Sequence, residues 1–267
     1  MSIALSASGP ETHINFPDSK RINRALFGAW YEEDIYDQFC GRFPRAMRLL
    51  RARIPKVMRA RNLIFVHVPR AAGTSIVRAL YGEGCIHHHS MRYYRTVDPG
   101  FAESAASFAV LRDPIDRFAS AFAFVRAGGA ETGRLSEVFV RQTEDLATVD
   151  DYLSFLEGRE ALDLDFVMRP QSWFVTGDGT GSDTGAVLVK DLFLLGEDSA
   201  ALSAYLAPHG IGRLPWLNRA PRAHLFLSAR QRRRIERLYA DDFVLIDSVR
   251  RQKHARDAAL CAAIAAE

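Results

Sequence analysis

A chain of 267 residues is long enough to bury a substantial core, and it falls between one large α/β domain and two small ones. Its 48% hydrophobic and 25% charged residues exclude a disordered or coiled-coil chain. The excess of 35 Lys and Arg over 32 Asp and Glu is only +3, so net charge does not argue for a nucleic-acid partner; local placement of charge is what matters.

Residues 1–24 are polar and weakly patterned, and an extended arm is expected there. Met1 to Lys20 holds no apolar signal core, and no run approaches the roughly 18 apolar residues of a membrane span. Cys40, Cys85 and Cys261 lie far apart and form no Cys-x-x-Cys pair, which points away from a disulfide framework or zinc ribbon and towards a reducing cytoplasm. Between Arg42 and Arg61 stand eight basic residues and no acid, while Phe43, Met47, Leu50 and Ile54 recur at helical spacing. This reads as a helix with a basic face, either solvated while the helix packs on a sheet or attracting an anionic substrate or membrane surface.

Leu63 to Val68 is apolar except for His67 and rich in branched side chains, as a strand of a parallel α/β sheet covered on both faces should be. Pro69 breaks it. Arg70-Ala-Ala-Gly-Thr-Ser75 then has no bulky side chain after Arg70, so backbone N–H groups can approach a ligand, and Gly73 is expected to supply dihedrals that other residues resist. Ile76, Val77, Leu80 and Tyr81 follow at helical spacing with Gly82 as the stop. Strand, tight loop and helix N-terminus make a site for phosphate or sulfate.

His87, His88 and His89 cannot all face one metal, because neighbours on a strand or helix point apart, and no second ligand set is in view. Either one imidazole of a loop reaches the active site as a base, or the three are surface or structural. Ser107 to Leu111 reads as a second buried strand. Asp113 then caps a helix with Pro114 in its first turn, and Ile115, Phe118, Ala119 and Phe122 form its expected apolar stripe, with Asp116, Arg117 and Ser120 off it. Arg112 sits at the carboxyl end of its strand, where open α/β sheets bind ligands; it serves either as an anion partner or in an ion pair with Asp113 or Asp116.

Two helices with a polar bend are expected over residues 128–160, and turn chemistry over 177–185. A third strand-like run spans Ala186 to Glu197, followed by a helix with Asp198 or Ser199 as cap. Leu214 to His224 is a proline-punctuated loop carrying Arg219 and Arg222. In the helix from Ser228 to Ala240, Arg230, Arg232, Arg233, Arg234 and Arg237 read as a solvated face rather than a nucleic-acid patch. The Ala-rich tail from His254 to Ala266 should be one more helix.

Taken together, His67 to Ser75, Val110 to Ser120, Arg169-Pro-Gln171, Leu214 to Asn218 and Tyr239 to Ile246 resemble, in order and spacing, segments of the family 2 sulfotransferases. That group includes heparan sulfate 2-O- and chondroitin-type carbohydrate sulfotransferases. The resemblance implies an α/β, P-loop-like three-layer fold with a central, mainly parallel sheet flanked by helices. It also implies 3′-phosphoadenosine-5′-phosphosulfate (PAPS) as donor, a hydroxyl acceptor that is usually a carbohydrate, and no metal. By position, Arg70 with Ala71, Ala72, Gly73, Thr74 and Ser75 would hold the 5′-phosphosulfate, Arg112 and Ser120 the 3′-phosphate, and Arg222 would close over the nucleotide. His88 aligns with the family's base, with His89 one residue away. The family loop commonly has Lys where this chain has Arg70; an Arg keeps the charge but cannot donate a proton, which casts it as stabiliser of the leaving phosphate.

The expected division is 1–61 as N-terminal arm and basic helical segment, 62–250 as the sulfotransferase domain, and 251–267 as a C-terminal helix packed on the same domain. Two rival readings are a P-loop phosphotransferase and a non-catalytic nucleotide- or glycan-binding module. The first is opposed by the absence of Gly-Lys-Ser/Thr in the loop; the second is kept open by Arg70.

Overall fold

The computed structural model describes residues 26, 34–35, 54–82, 87–129, 135–177, 185–211 and 225–265. Three short strands, β1 (Leu63–Val66), β2 (Ala106–Leu111) and β3 (Asp191–Leu194), form an open parallel sheet in the order β1-β2-β3. Leu63 stands opposite Ala106, and Phe108 opposite Asp191. All of β1, and β2 from Ser107 onwards, is buried, as strands covered on both faces must be. The chain is thus an α/β protein with its sheet flanked by helices.

Between β1 and β2 run α1's successors in order: α1 itself (Lys56–Arg61) precedes the sheet, and α2 (Gly73–Tyr81), α3 (Met91–Val97) and α4 (Pro99–Ser104) form the crossover. The second crossover contains α5 (Pro114–Arg126), α6 (Glu137–Thr143), α7 (Val149–Glu157) and the short α8 (Ser172–Val175). After β3 come α9 (Ser199–Leu206), α10 (Ala229–Leu238) and α11 (Ala240–Ala265). One apolar cluster packs Ile76, Leu80 and Tyr94 against the strands, while a second joins Phe118 of α5 to Leu153 of α7 and Ile235 of α10.

Local chemistry explains the boundaries. Asp113 caps α5, its Oδ1 accepting from the N–H groups of Ile115 and Asp116 at 3.0 Å, with Pro114 in the first turn. The Tyr81 hydroxyl donates to Leu63 O and accepts from Phe65 N–H, both at 2.9 Å, so a side chain satisfies the flank of β1 that β2 does not reach. β3 starts later than its apolar run: Val187 instead bridges Thr176 antiparallel, and Lys190 Nζ donates to the carbonyls of Glu103 and Ala105.

Several expectations change. The described end of the basic run is helical only from Lys56, because Pro55 holds an extended conformation; Lys56 is exposed, whereas Arg59 pairs with Asp98 and Arg61 donates to His209 O. The apolar face of α5 is rotated from the expected stripe, so that Pro114, Arg117, Phe118, Ala121 and Val125 are the buried residues. Arg234 is not solvated; it bonds Glu157 through two nitrogens and also Asp150 and Ser154, tying α10 to α7. Residues 251–265 are not a separate packed helix but the continuation of α11. Arg250 and Lys253 still pair with Glu197 and Asp198, yet every described side chain beyond Lys253 is exposed. Among the described residues no helix is long and apolar enough to cross a membrane. The N-terminal arm, residues 42–53 of the basic run, Cys40, Cys85, Arg222 and Leu214 to Asn218 lie outside the described residues.

Candidate active site

Parallel strands deliver their carboxyl ends to one edge of a sheet, where ligands of open α/β folds bind. Here β1 opens into residues 67–72 and β2 into Arg112 and Asp113, so the two candidate anion-binding segments start as neighbours. In the first, the left-handed conformations belong to Arg70 (φ 67°) and Ala72 (φ 64°), while Gly73 has an ordinary helical backbone. Gly73 is required for space instead: a Cβ there would lie 1.8 Å from Cδ2 of the buried His67. Two non-glycine residues in the left-handed region, flanking Ala71, store strain that the surroundings must hold.

α5 supplies that hold. Arg117, Ser120 and Phe124, spaced by three and four residues, share the face turned to the loop. Arg117 is buried, and its Nε donates to Pro69 O at 3.0 Å while Nη2 donates to Val167 O. Arg112 Nη1 donates to Arg70 O at 3.4 Å. The Arg70 guanidinium donates from Nε and Nη2 to Ser120 Oγ at 3.2 and 3.1 Å and lies 4.6 Å over the Phe124 ring. Arg112 is fixed in turn by Gln171, whose side-chain amide accepts from Arg112 N–H and donates to Arg112 O, much as another strand would. The buried Asp242 accepts from the N–H groups of Gln171 and Ser172 and from Ser172 Oγ. Sequence reasoning missed Arg117 and Asp242; the available signal was a charged residue at a spacing shared with Pro114 and Ala121.

Positive charge collects at this edge of the sheet. Burial, then the charges of Arg112 and Arg117, lower the Arg70 pKa, so three guanidinium groups crowd one another. Of the two helix N-termini, that of α5 is capped by Asp113, whereas α2 has no side-chain cap at Ala72. Ala71 N–H closes a turn onto Val68 O, and Gly73, Thr74 and Ser75 form the first turn of α2.

The three histidines separate. His87 is exposed. His89 stacks on Tyr93 at 3.8 Å with its Nδ1 buried and unbonded, and burial, then His87 and His88, push its pKa down to about 3. His88 is half-buried with its ring 4.5 Å from His67, and its Nδ1 stands 3.4 Å from His67 O. A carbonyl only accepts, so this contact puts the hydrogen on Nδ1 and, in the neutral ring, leaves Nε2 unprotonated. Burial lowers the His88 pKa, opposed by the His67 carbonyl and Asp165 and reinforced by His87 and Arg169. His67 is held neutral by burial and by His88. Among the described residues no group of three or more His, Cys, Asp or Glu could hold a metal ion.

Arg70, Arg112 and Ser120 are therefore brought together, Ala71 to Ser75 border them, and His88 stands beside the strand end that leads into the loop. The chain was compared with protein-family models and with curated proteins, and nothing matches in either.

Proposed function

We propose that this protein is a PAPS-dependent sulfotransferase with a P-loop-like fold, acting on a hydroxyl acceptor, most simply a carbohydrate, in a reducing cytoplasm. The observation that carries the reading is the contact of Arg70 with Ser120, reinforced by Arg112 on the Arg70 carbonyl. Two segments about forty residues apart, each of which resembles one phosphate-binding end of the donor site, form one cationic surface at one sheet edge. A nucleotide with anions at both its 5′ and 3′ ends suits an edge carrying the mutually repelling Arg70 and Arg112 guanidinium groups, with Arg117 buried behind them, better than a single phosphate does.

In this mechanism the backbone N–H groups that open α2 bind the 5′-phosphosulfate, and Arg112 and Ser120 bind the 3′-phosphate. His88 Nε2 takes the proton of the acceptor hydroxyl as its oxygen bonds to sulfur; the bond from sulfur to the bridging phosphate oxygen breaks, and Arg70 stabilises the charge left on the 5′-phosphate. A His88 pKa held below its ordinary value keeps the imidazole neutral and ready to accept a proton at pH 7. Arg222 remains assigned to closing over the nucleotide by resemblance alone.

Calorimetry with adenosine 3′,5′-bisphosphate against ATP with Mg²⁺ separates this reading from a phosphotransferase, and transfer of labelled sulfate from PAPS to a panel of glycans separates it from a binding module. The bisphosphate should bind and sulfate should move; binding of ATP but not the bisphosphate would overturn the proposal. His88→Ala should abolish transfer and spare bisphosphate binding.

A further inference from the structure

Behind His88 lies a buried ion pair that spans 135 residues of sequence. Asp34 and Arg169 are both fully buried, and the carboxylate meets the guanidinium through two oxygens, at 2.5 and 2.6 Å. Arg169 is also gripped by Leu164 O, which accepts from its Nε at 3.0 Å, and it lies 4.3 Å from the Phe166 ring and 4.6 Å from the Trp173 ring. The Phe166 ring is in turn 5.6 Å from the His88 ring. A planar cation stacked between two aromatic rings and bridged bidentately has one orientation only, so the wall against His88 is fixed by a residue of the N-terminal segment.

We propose that Asp34 and Arg169 are positioning residues for His88: the N-terminal segment, through this pair, fixes both the ring that His88 packs against and the charge that it faces. The proposal rests on His88 being the base. The groups facing the imidazole are His67 from the end of β1, the adjacent His87, and Asp165 and Arg169 from the segment before α8, with Asp34 and Arg92 behind Arg169. Arg169 disfavours the imidazolium, and Asp34 tempers it. Loss of Asp34 alone therefore strengthens the repulsion, while loss of the whole pair removes it. The two changes move His88 in opposite directions.

The test is a ¹³C-edited NMR titration of the full chain, with the His88 ring assigned by His88→Gln. In Asp34→Asn the His88 midpoint should fall by about 0.5 in pH, and in the double variant Asp34→Leu with Arg169→Met it should rise above that of the parent chain. The double variant replaces a buried ion pair with apolar side chains, a change that is often neutral or stabilising, so it decides the matter even if Asp34→Asn does not fold. Midpoints equal to the parent's in the folded variants overturn the proposal. Kinetics add a second readout: Asp34→Asn should lower kcat with the KM for PAPS unchanged, and the acid limb of the pH profile should move with the NMR midpoint. A parent chain that transfers no sulfate would sink the functional reading and leave the titration as the judge of the ion pair. Transfer without any midpoint shift would sink only the positioning role.

Discussion

Gly73 touches a buried ring where other residues would place a methyl group. Gly73→Ala sets a Cβ 1.8 Å from His67 Cδ2 and 2.2 Å from Nε2. Either the imidazole or the first turn of α2 must shift, at a cost of about 1–3 kcal/mol, and denaturant unfolding should show that loss. An unchanged midpoint would mean that the ring has room to move. The sequence pointed to this glycine for its dihedrals, and the need is instead for space. Nothing local could have revealed this, because the conflict lies with His67 across the loop. At His88 the expected pH dependence follows from burial. With the folded pKa below the usual 6.5, the neutral base persists to lower pH, so the acid limb of kcat should lie below pH 6.5.

At the scale of elements, β1 depends on a hydroxyl that the sequence presents as one more apolar helix position. Tyr81→Phe keeps the ring but leaves Leu63 O and Phe65 N–H without that partner in a buried strand. The expected cost is about 1–3 kcal/mol by chemical denaturation; a loss near zero would show that another group takes over both bonds. β1, β2 and the start of α5 were legible because branched apolar runs and an Asp-Pro cap are local signals. The orientation of α5 was not. Two stripes one residue apart fit its sequence almost equally well, and the choice fell to two carbonyls remote in sequence that bond Arg117, Pro69 O on one side and Val167 O on the other. Arg234 escaped a composition-based reading for the same reason, since Glu157 and Asp150 on α7 decide its burial.

For the whole molecule the buried histidines set a limit on acid stability. His67, His88 and His89 all have folded pKa values lowered by burial, with His89 at about 3. The unfolded chain takes up protons near pH 6.5 while the folded chain refuses them. Their contribution is therefore complete above about pH 6.5 and is lost as pH falls, by up to about 1.4 kcal/mol per pH unit for each histidine. Asp34 and Asp242 act in the opposite sense, because burial raises their pKa values and the folded chain gains protons more readily than the unfolded one. Melting temperatures measured from pH 7.5 to 5 should fall with pH, and His89→Phe, which keeps the stack on Tyr93, should flatten the curve. A slope identical to the parent's would show that His89 titrates equally in both states.

The loop that leaves β1 has an implication for handedness. At Ala72 the backbone has φ 64° and ψ 12°, which lies in the mirror image of the region an L-residue prefers and is a comfortable place for its enantiomer. A chain assembled by ligation with D-alanine at this position would retain the methyl group and the connectivity while relieving the torsional cost. Its unfolding free energy should rise by about 1 kcal/mol with binding of adenosine 3′,5′-bisphosphate preserved. The loop would then hold its shape through its own stereochemistry, with less demand on Arg112 and Arg117.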